Sequence, residues 1–321
     1  MAERYTRRSA LLAMLETTYG VVPAGFAATD AILLAEPPRF QIEPDNVPRN
    51  LALPWMGNSE ELPATRRAKL NFKVEMVGSG TAGTAPVWGK LLRACGFAEV
   101  ITAGQRVVYT PVNTGFESLS FRFYRDGVRY VARGGRGMVK FDLSAYAVPT
   151  LEFEFWAFDT TALGENIPAI DVSAQLTPEV VTDANSGDVR IGSTLTGGVV
   201  SGGTVLPSRG ITWDAGNKLA HKKLLGGEKI EIVDRAVSGQ IAVDLDAAQE
   251  IAWRTEINAV TLASLSFQYG SVSGKQINVF APRVQRTNPQ AIDYEGNILI
   301  QSDLRALPGN TGAPELTVIA R

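Results

Sequence analysis

Lys69-Leu70-Asn71-Phe72-Lys73-Val74-Glu75-Met76 alternates polar and apolar side chains along its whole length. A period of two is typical of an antiparallel strand that packs one face on a core and leaves the other face in water. The same alternation recurs at residues 118–123, 151–155 and 240–245. The pattern therefore predicts a mainly β protein. Turn-forming pairs separate the stretches, namely Asp126-Gly127, Gly134-Gly135, Ser273-Gly274 and Glu295-Gly296.

Helical signals are few along the chain. Pro86 favours a helix over residues 87–95, which Gly96 would end. Asp246 is a suitable N-cap for a second helix over residues 247–257. A third, short amphipathic helix is expected around residues 9–17. Strands with isolated helices predict a sandwich or barrel with the helices outside it.

An internal repeat relates the two halves of the sequence. Residues 117–123 (ESLSFRF) match residues 263–269 (ASLSFQY) at an offset of 146 residues. Shortly afterwards, residues 126–128 match 273–275 and residues 151–155 match 298–302, both at an offset of 147 residues. An offset that stays nearly constant from residue 117 to residue 155 favours two copies of one unit.

The order of the other elements agrees with the repeat. Strands at Phe40 and Ile211 correspond, alternating strands begin at Phe72 and Ile241, and each half has a helix with a tryptophan, Trp88 or Trp253. The first half carries extra residues near its helix. We therefore predict two tandem β-rich domains, residues 1–162 with the N-terminal helix and residues 163–321, joined near residues 160–170.

Composition excludes several kinds of chemistry. The 321 residues include one Cys, one His, 31 basic and 33 acidic residues. An intrachain disulfide needs two cysteines, and structural zinc needs four Cys or His ligands. His221, the base that a nucleophilic triad would require, lies in a basic polar run and is expected to be a solvated surface residue. Cys95 is expected to be a small buried residue, and no cofactor is expected.

Charge and hydropathy argue against tight nucleic-acid binding and against a membrane. No basic block stands out, and the net charge is −2. The basic and then apolar N-terminus mimics a signal peptide, but Glu16 ends the apolar run early. No stretch approaches the ~18 apolar residues of a membrane span. We expect a soluble cytoplasmic protein.

Glycine-rich segments give a weak nucleotide-binding signal. Residues 78–83 (GSGTAG) fit G-x-G-x-x-G and follow a strand. A dinucleotide site needs a helix that opens inside the glycines and a parallel βαβ unit. Pro86 places the helix start later, so we interpret the segment as a strand-to-helix connection. Residues 134–137 are expected to form a turn or bulge, and residues 186–208, rich in Gly, Ser and Thr, an exposed loop or hairpin.

The chain resembles the major tail tube proteins of long, non-contractile-tailed (siphovirus-type) bacteriophages. The resemblance spans most of the chain and rests on the order and spacing of several stretches. These are Thr17-Thr18-Tyr19-Gly20, residues 77–83 leading into 88–97, residues 117–155, 214–217 and 230–235, Phe280-Ala281-Pro282, and Asp293-Tyr294-Glu295-Gly296-Asn297.

The resemblance implies a structural, non-enzymatic virion protein. It implies β-sandwich or barrel domains of the tail-tube type, each with a flanking α-helix, that assemble into rings of six around a channel. The rings stack into a tube that conducts double-stranded DNA. Most members supply one domain per chain, so two tandem domains would complete the ring with three chains, a pseudo-sixfold trimer. Other implied partners are the tail terminator and the tail tip and tape measure proteins, with assembly in the bacterial host cytoplasm.

A tube of this kind needs a polar lumen that does not hold DNA tightly. The polar sides of the predicted strands supply candidates for it. Glu152 and Glu154, two residues apart on one strand, share a face; a polar strand face explains them better than a catalytic pair would. The candidate lumen-facing residues are Lys73, Glu75, Glu152, Glu154, Asp244 and Gln301.

The connection at residues 50–65 is unusually apolar for a loop left in water. We expect it to dock on a neighbouring ring, although a loop folded back on its own domain is the alternative. Its candidate inter-ring contacts are Leu51, Leu53, Trp55, Met56 and Leu62.

Two other functions stay open at this point. A two-domain β-sandwich adhesin or carbohydrate-binding module would show clustered exposed aromatic residues and would form a monomer or small oligomer. An enzyme that binds a nucleotide at residues 78–83 would need the parallel unit that the strand pattern does not predict.

Overall fold

The described residues up to Gly164 fold into ten strands and one short α-helix. The structure, a computed structural model, describes residues 3–160, 162–310 and 312–321. A 3₁₀ turn at Ala28–Asp30 precedes the second strand. The elements are β1 (Ser9–Leu15), β2 (Ala31–Ile32), β3 (Arg39–Pro48), β4 (Glu61–Glu75), α1 (Gly89–Ala94), β5 (Phe97–Thr102), β6 (Arg106–Pro111), β7 (Leu119–Arg125), β8 (Val128–Ser144), β9 (Thr150–Asp159) and β10 (Leu163–Gly164).

The described residues after Gly164 add twelve strands and a longer helix. Residues 186–208, predicted as a loop or hairpin, contain four short strands, of which two form a separate hairpin. The elements are β11 (Val189–Ile191), β12 (Thr194–Thr196), β13 (Val199–Ser201), β14 (Thr204–Leu206), β15 (Ser208–Asp214), β16 (Asn217–Lys222), β17 (Lys229–Arg235), β18 (Ser238–Val243), α2 (Ala247–Asn258), β19 (Ala263–Tyr269), β20 (Ile277–Tyr294), β21 (Asn297–Ala306) and β22 (Thr317–Ala320).

The N-terminal segment is a strand, so the helix predicted around residues 9–17 is wrong. β1 pairs with β7 along its whole length, with Leu11 opposite Phe123. Both faces of the strand are buried, since Leu11 packs in the main core and Leu12 in a second cluster beside Tyr124. A strand buried on both faces shows a continuous apolar run, which periodicity alone does not distinguish from a short helix.

The two halves pair their strands in the same order. β3-β4-β9-β8-β7-β1 in the first half corresponds to β15-β18-β21-β20-β19-β11 in the second. Each half places its helix between the second and fifth of these strands along the chain. The β5–β6 hairpin supplies the extra residues that follow the first helix.

Strand register agrees with the repeat at the best-matched point. Phe121 lies opposite Ala132, and Phe267 lies opposite Val279. Phe267 follows Phe121 by 146 residues and Val279 follows Ala132 by 147, the two offsets of the sequence repeat. Phe40 pairs with Leu70 as Ile211 pairs with Ile241. Leu70 is therefore the counterpart of Ile241, whereas the sequence had matched Ile241 to Phe72, two residues later.

Among the described residues, 18 strands join the two halves into a single antiparallel sheet. The central joint pairs β8 with β15, where Phe141 lies opposite Trp213. A second joint pairs β6 with β22. Buried Asn217 reinforces the contact, because its amide donates to the Cys95 carbonyl at 2.7 Å and to the Gly137 carbonyl at 2.9 Å.

The core of the first half lies between two layers of this strongly bent sheet. Phe72 on β4 and Phe155 on β9 stack at 5.9 Å between ring centroids, and Phe121 on β7 approaches Phe155 at 4.9 Å. The alternating residues of β4 and β9 thus face β7, as in a β-sandwich. The polar residues between them face the other way.

Both helices are anchored to the sheet by their tryptophans. Trp88, the N-cap of α1, donates its indole N–H to the Val77 carbonyl at 2.8 Å. Trp253 on α2 donates to the Ser302 hydroxyl at 3.1 Å. Asp246 caps α2 by accepting from the Gln249 N–H at 2.8 Å, which confirms the predicted start of that helix.

Candidate functional site

A polar face runs along the side of the sheet that points away from the core. On β4 and β9, Lys73 lies directly opposite Glu152, and Asn71 lies opposite Glu154. Since directly paired residues share a face, Lys73, Glu75, Glu152 and Glu154 all lie on it. Four of the predicted lumen residues are thus neighbours on adjacent strands. We call this surface the polar face.

Glu154 is held by three neighbours on the polar face. It accepts from the Lys69 ammonium at 2.8 Å, the Asn71 amide at 3.0 Å and the Trp156 indole at 3.0 Å. Burial by itself raises the pKa of Glu154, but these hydrogen bonds outweigh it and hold that pKa below its usual value. The ionised carboxylate therefore stabilises the fold.

Replacing this carboxylate should change the response to acid. A lowered folded-state pKa adds stability above the unfolded pKa, and that stability is lost as the pH falls through the folded value. Glu154→Gln should therefore be less stable than the unsubstituted protein at neutral pH, and the difference in stability should close in acid, as the pH falls below the lowered folded-state pKa of Glu154. Urea unfolding of both proteins at neutral and at acid pH measures this difference in stability. A gap that stays constant would contradict the assignment.

The polar face continues across the joint into the second half. Lys140 on β8 pairs with Asp214 on β15, their charged groups 3.7 Å apart. Pairing then continues through β18 to β21, where Gln301 lies opposite Ala242. Gln301 therefore shares the face with Lys73. Asp244 is exposed just beyond the end of β18, and its N–H donates to the Pro207 carbonyl at 2.8 Å.

Acidic and basic groups are interleaved on the polar face, and neither sign dominates. Lys69 pairs with Glu154, Arg67 with Glu43 and Lys140 with Asp214. A mixed surface of this kind offers phosphate groups few free cations. Its acidic members include Glu43, Glu75, Asp142, Glu152, Glu154, Asp214 and Asp303, and its basic members include Arg39, Arg67, Lys69, Lys73, Lys140 and Arg305.

A long hairpin carries the predicted inter-ring contacts. β3 and β4 pair as far as Pro48 and Glu61, and residues 49–60 connect them. Trp55 is 68% exposed, and the other four apolar candidates are exposed as well. They are Leu51, Leu53, Met56 and Leu62. The segment therefore presents apolar area to the outside of the single chain.

A second hairpin, whose exposed leucines were not predicted from sequence, extends this apolar surface. Leu224 and Leu225 are exposed in the connection between β16 and β17. The two hairpins touch, since Lys223 pairs with Asp45 and the Thr65 hydroxyl donates to Glu228 at 2.6 Å. We call Leu51, Leu53, Trp55, Met56, Leu62, Leu224 and Leu225 the hairpin-tip patch. The sequence Leu224-Leu225-Gly226-Gly227, two leucines before a glycine pair, could have indicated an exposed apolar turn.

His221 is not the solvated residue that its basic surroundings predicted. Its side chain is only 7% exposed, its Nε2 lies 2.7 Å from Glu228, and its ring packs edge-on against Phe158 at 5.6 Å. The contact between the two hairpins covers it, which local sequence does not reveal. Cys95 is fully buried, as predicted, and burial raises the pKa of its thiol well above the usual value.

The glycines of residues 78–83 serve close backbone packing. A Cβ atom on Gly78 would lie 2.2 Å from the Gly274 carbonyl oxygen, and the Gly80 N–H donates to that oxygen at 2.9 Å. The segment connects β4 to α1 among antiparallel strands, which confirms the strand-to-helix interpretation. Gly134 adopts a positive φ of 65° beside a register shift in β8, which confirms the predicted bulge.

A methyl group at Gly78 should disturb this packing. We expect Gly78→Ala to lower the free energy of unfolding by about 1–3 kcal/mol, since rigid backbone rather than a movable side chain lies in the way. Gly25→Ala, at a site with open space, is the matched control. Urea denaturation of both variants measures the difference. Equal stabilities would contradict the packing role.

The part of the chain at residues 3–160, 162–310 and 312–321 has no group of three or more His, Cys, Asp or Glu side chains placed to hold a metal ion. Neither of its α-helices is long and apolar enough to cross a membrane.

Comparison with known proteins identifies the family. No curated protein matches the chain. A family model described as phage tail tube protein matches residues 6–303, nearly the whole chain, and agrees with the resemblance seen in the sequence. The strand-rich fold fits that family. The chain belongs to the phage tail tube protein family and is a structural component of the virion tail.

Proposed function

We propose that this chain self-assembles into stacked rings that form the tail tube, a conduit for DNA during ejection. The observation that carries the proposal is the polar face, which runs unbroken from β4 in the first half to β21 in the second. One face of the sheet packs the core while the other stays wet, as the wall of an aqueous channel requires. The role is structural rather than catalytic.

The charge pattern of the polar face suits passage of DNA rather than binding. Tight binding of DNA comes from uncompensated Lys and Arg at the phosphates. On this face the cations of Arg67, Lys69 and Lys140 are already paired with carboxylates. A lumen built from it would let the duplex slide without being held. Lys73, Glu75, Glu152, Glu154 and Gln301 are the proposed lumen residues, with Asp244 at its rim.

Three chains would close each ring. The two halves pair their strands in the same order, which supports two tandem domains, residues 1–162 and 163–321. Three such chains supply six similar units around a channel, a pseudo-sixfold trimer. Closure would also pair sheet edges that otherwise invite aggregation.

Stacking of the rings is assigned to the hairpin-tip patch. An exposed apolar patch of this kind marks an interaction surface. The end of the sheet that lies away from the hairpin tips also carries exposed apolar side chains. They are Tyr146, between β8 and β9, and Ile298 on β21. Hairpin tips of one ring would meet this end in the next, a head-to-tail contact that extends without limit. Tail terminator, tail tip and tape measure proteins would meet the tube at its ends and lumen, after assembly in the host cytoplasm.

Negative-stain electron microscopy of the purified protein tests the proposed function. Rings or tubes with a central channel are the expected result. Compact monomers that persist at high protein concentration would contradict it and would favour an adhesin or carbohydrate-binding module.

A further inference from the structure

The joint between the two halves shows how one unit attaches to the next. Along its second half, β8 has a strand on each side, β9 on one and β15 on the other. β20 is the counterpart of β8, and its pairing with β21 runs on to Tyr294. Beyond Val284, where its pairing with β19 ends, β20 has no second partner among the described residues. One edge of β20 is therefore open where β8 holds β15.

β3 has the complementary open edge. Within the described chain it pairs only with β4, whereas its counterpart β15 pairs with both β18 and β8. Ile42 is two residues after Phe40, as Trp213 is two residues after Ile211, so the two positions correspond. Trp213 is 2% exposed in the joint, but Ile42 is 38% exposed. The position that β8 covers in one half is uncovered in the other.

We propose that the second half of β20 pairs antiparallel with β3 of a second copy of this chain, in the register of the β8–β15 joint. The proposal rests on the proposed ring. The occupant is a second copy because the chain already contains the same joint between its own halves. The contact is head-to-tail, so it closes into a ring when the rotation allows and leaves no open edge.

The existing joint fixes the register between the copies. Thr212 on β15 lies opposite Asp142, which in turn lies opposite Thr150 on β9. In the repeat, Thr150 corresponds to Asn297 at the offset of 147 residues, and Asn297 lies opposite Tyr294 on β20. The counterpart of Thr212 on β3 is Gln41. Gln41 of one chain should therefore face Tyr294 of the next.

Mapping the β8–β15 register onto β20 and β3 in the same way predicts a second facing pair, two residues further along each strand. Asp214 faces Lys140, and Lys140 faces Glu152, whose counterpart Leu299 lies opposite Ile292. The counterpart of Asp214 on β3 is Glu43. Glu43 should therefore face Ile292 of the next chain.

Cysteine cross-linking of the assembled full chain tests this register. Directly opposed residues have Cβ atoms about 4.5–5.5 Å apart, close to what a disulfide needs, while diagonal neighbours are about 7–8 Å apart. Gln41→Cys with Tyr294→Cys, and Glu43→Cys with Ile292→Cys, are the matched pairs. Gln41→Cys with Ile292→Cys is the diagonal control. Cys95 is fully buried and does not compete.

Oxidised rings run on a non-reducing denaturing gel give a clear readout. Each matched pair should shift the single-chain band to linked dimers and trimers, and the diagonal control should not. If either matched pair prevents folding, the other carries the same test. Rings that form in the microscope but give no cross-link with the matched pairs, or that link only the diagonal pair, would overturn the pairing while leaving the proposed function intact. Absence of rings in the unsubstituted protein would overturn both.

Discussion

A subunit carrying Trp55→Asp should fold normally but should fail to grow tubes. Trp55 is exposed at the tip of the β3–β4 hairpin, so its replacement removes no core contact from the single chain. In a stacked tube the same position would be covered by the next ring. Burying an unpaired carboxylate there costs several kcal/mol, and tryptophan is among the residues that contribute most to interfaces. Tube length in electron micrographs and circular dichroism of the variant measure assembly and folding.

Two further variants show whether the effect belongs to the hairpin-tip patch. Leu225→Asp should also block growth, because contacts between the hairpins place the two tips side by side. Ile251→Asp on α2 is the matched control, since Ile251 is 68% exposed, the same fraction as Trp55. It should leave tube length unchanged. Tubes of normal length from Trp55→Asp would contradict docking through this patch.

Phe155→Ala should lower the free energy of unfolding by about 3–5 kcal/mol. Phe155 is fully buried and contacts the rings of Phe72, Phe121 and Phe153 at 4.9–5.9 Å between centroids. Its removal leaves a cavity between the two layers of the sandwich, which β4 and β9 cannot close because their hydrogen bonds fix their positions. Urea denaturation followed by tryptophan fluorescence measures the loss.

A conservative variant separates the cavity from the loss of an aromatic ring. Phe155→Leu keeps most of the apolar volume, so it should cost clearly less than Phe155→Ala. A loss below about 1 kcal/mol for Phe155→Ala would be typical of a surface position and would contradict the packing described for this core.

Local alternation was a reliable guide wherever a strand has one wet face. β4 and β9 carry alternating residues, and both were predicted, together with the burial of Phe72 and Phe153. β1 was mistaken for a helix because Leu11 and Leu12 are buried on opposite faces, so no alternation is visible. Its partner β7 lies far along the chain, and short-range sequence patterns do not contain that contact.

The features of the candidate site also divide into those that local alternation predicts and those that depend on long-range strand pairing. Membership of the polar face follows from alternation, so Lys73 and Glu152 could be named from sequence. Their direct opposition could not, because it depends on the pairing of β4 with β9. Leu225 and the burial of His221 were missed for a related reason, since both depend on the contact between two hairpins from different halves. Long-range pairing, rather than local propensity, decided each of these outcomes.

The most direct test of the ring is a cross-section of the assembled tube by electron cryomicroscopy. Three chains per ring should appear, each contributing two similar units, so that six units surround the channel with their polar faces inward. Six full chains per ring would contradict the account.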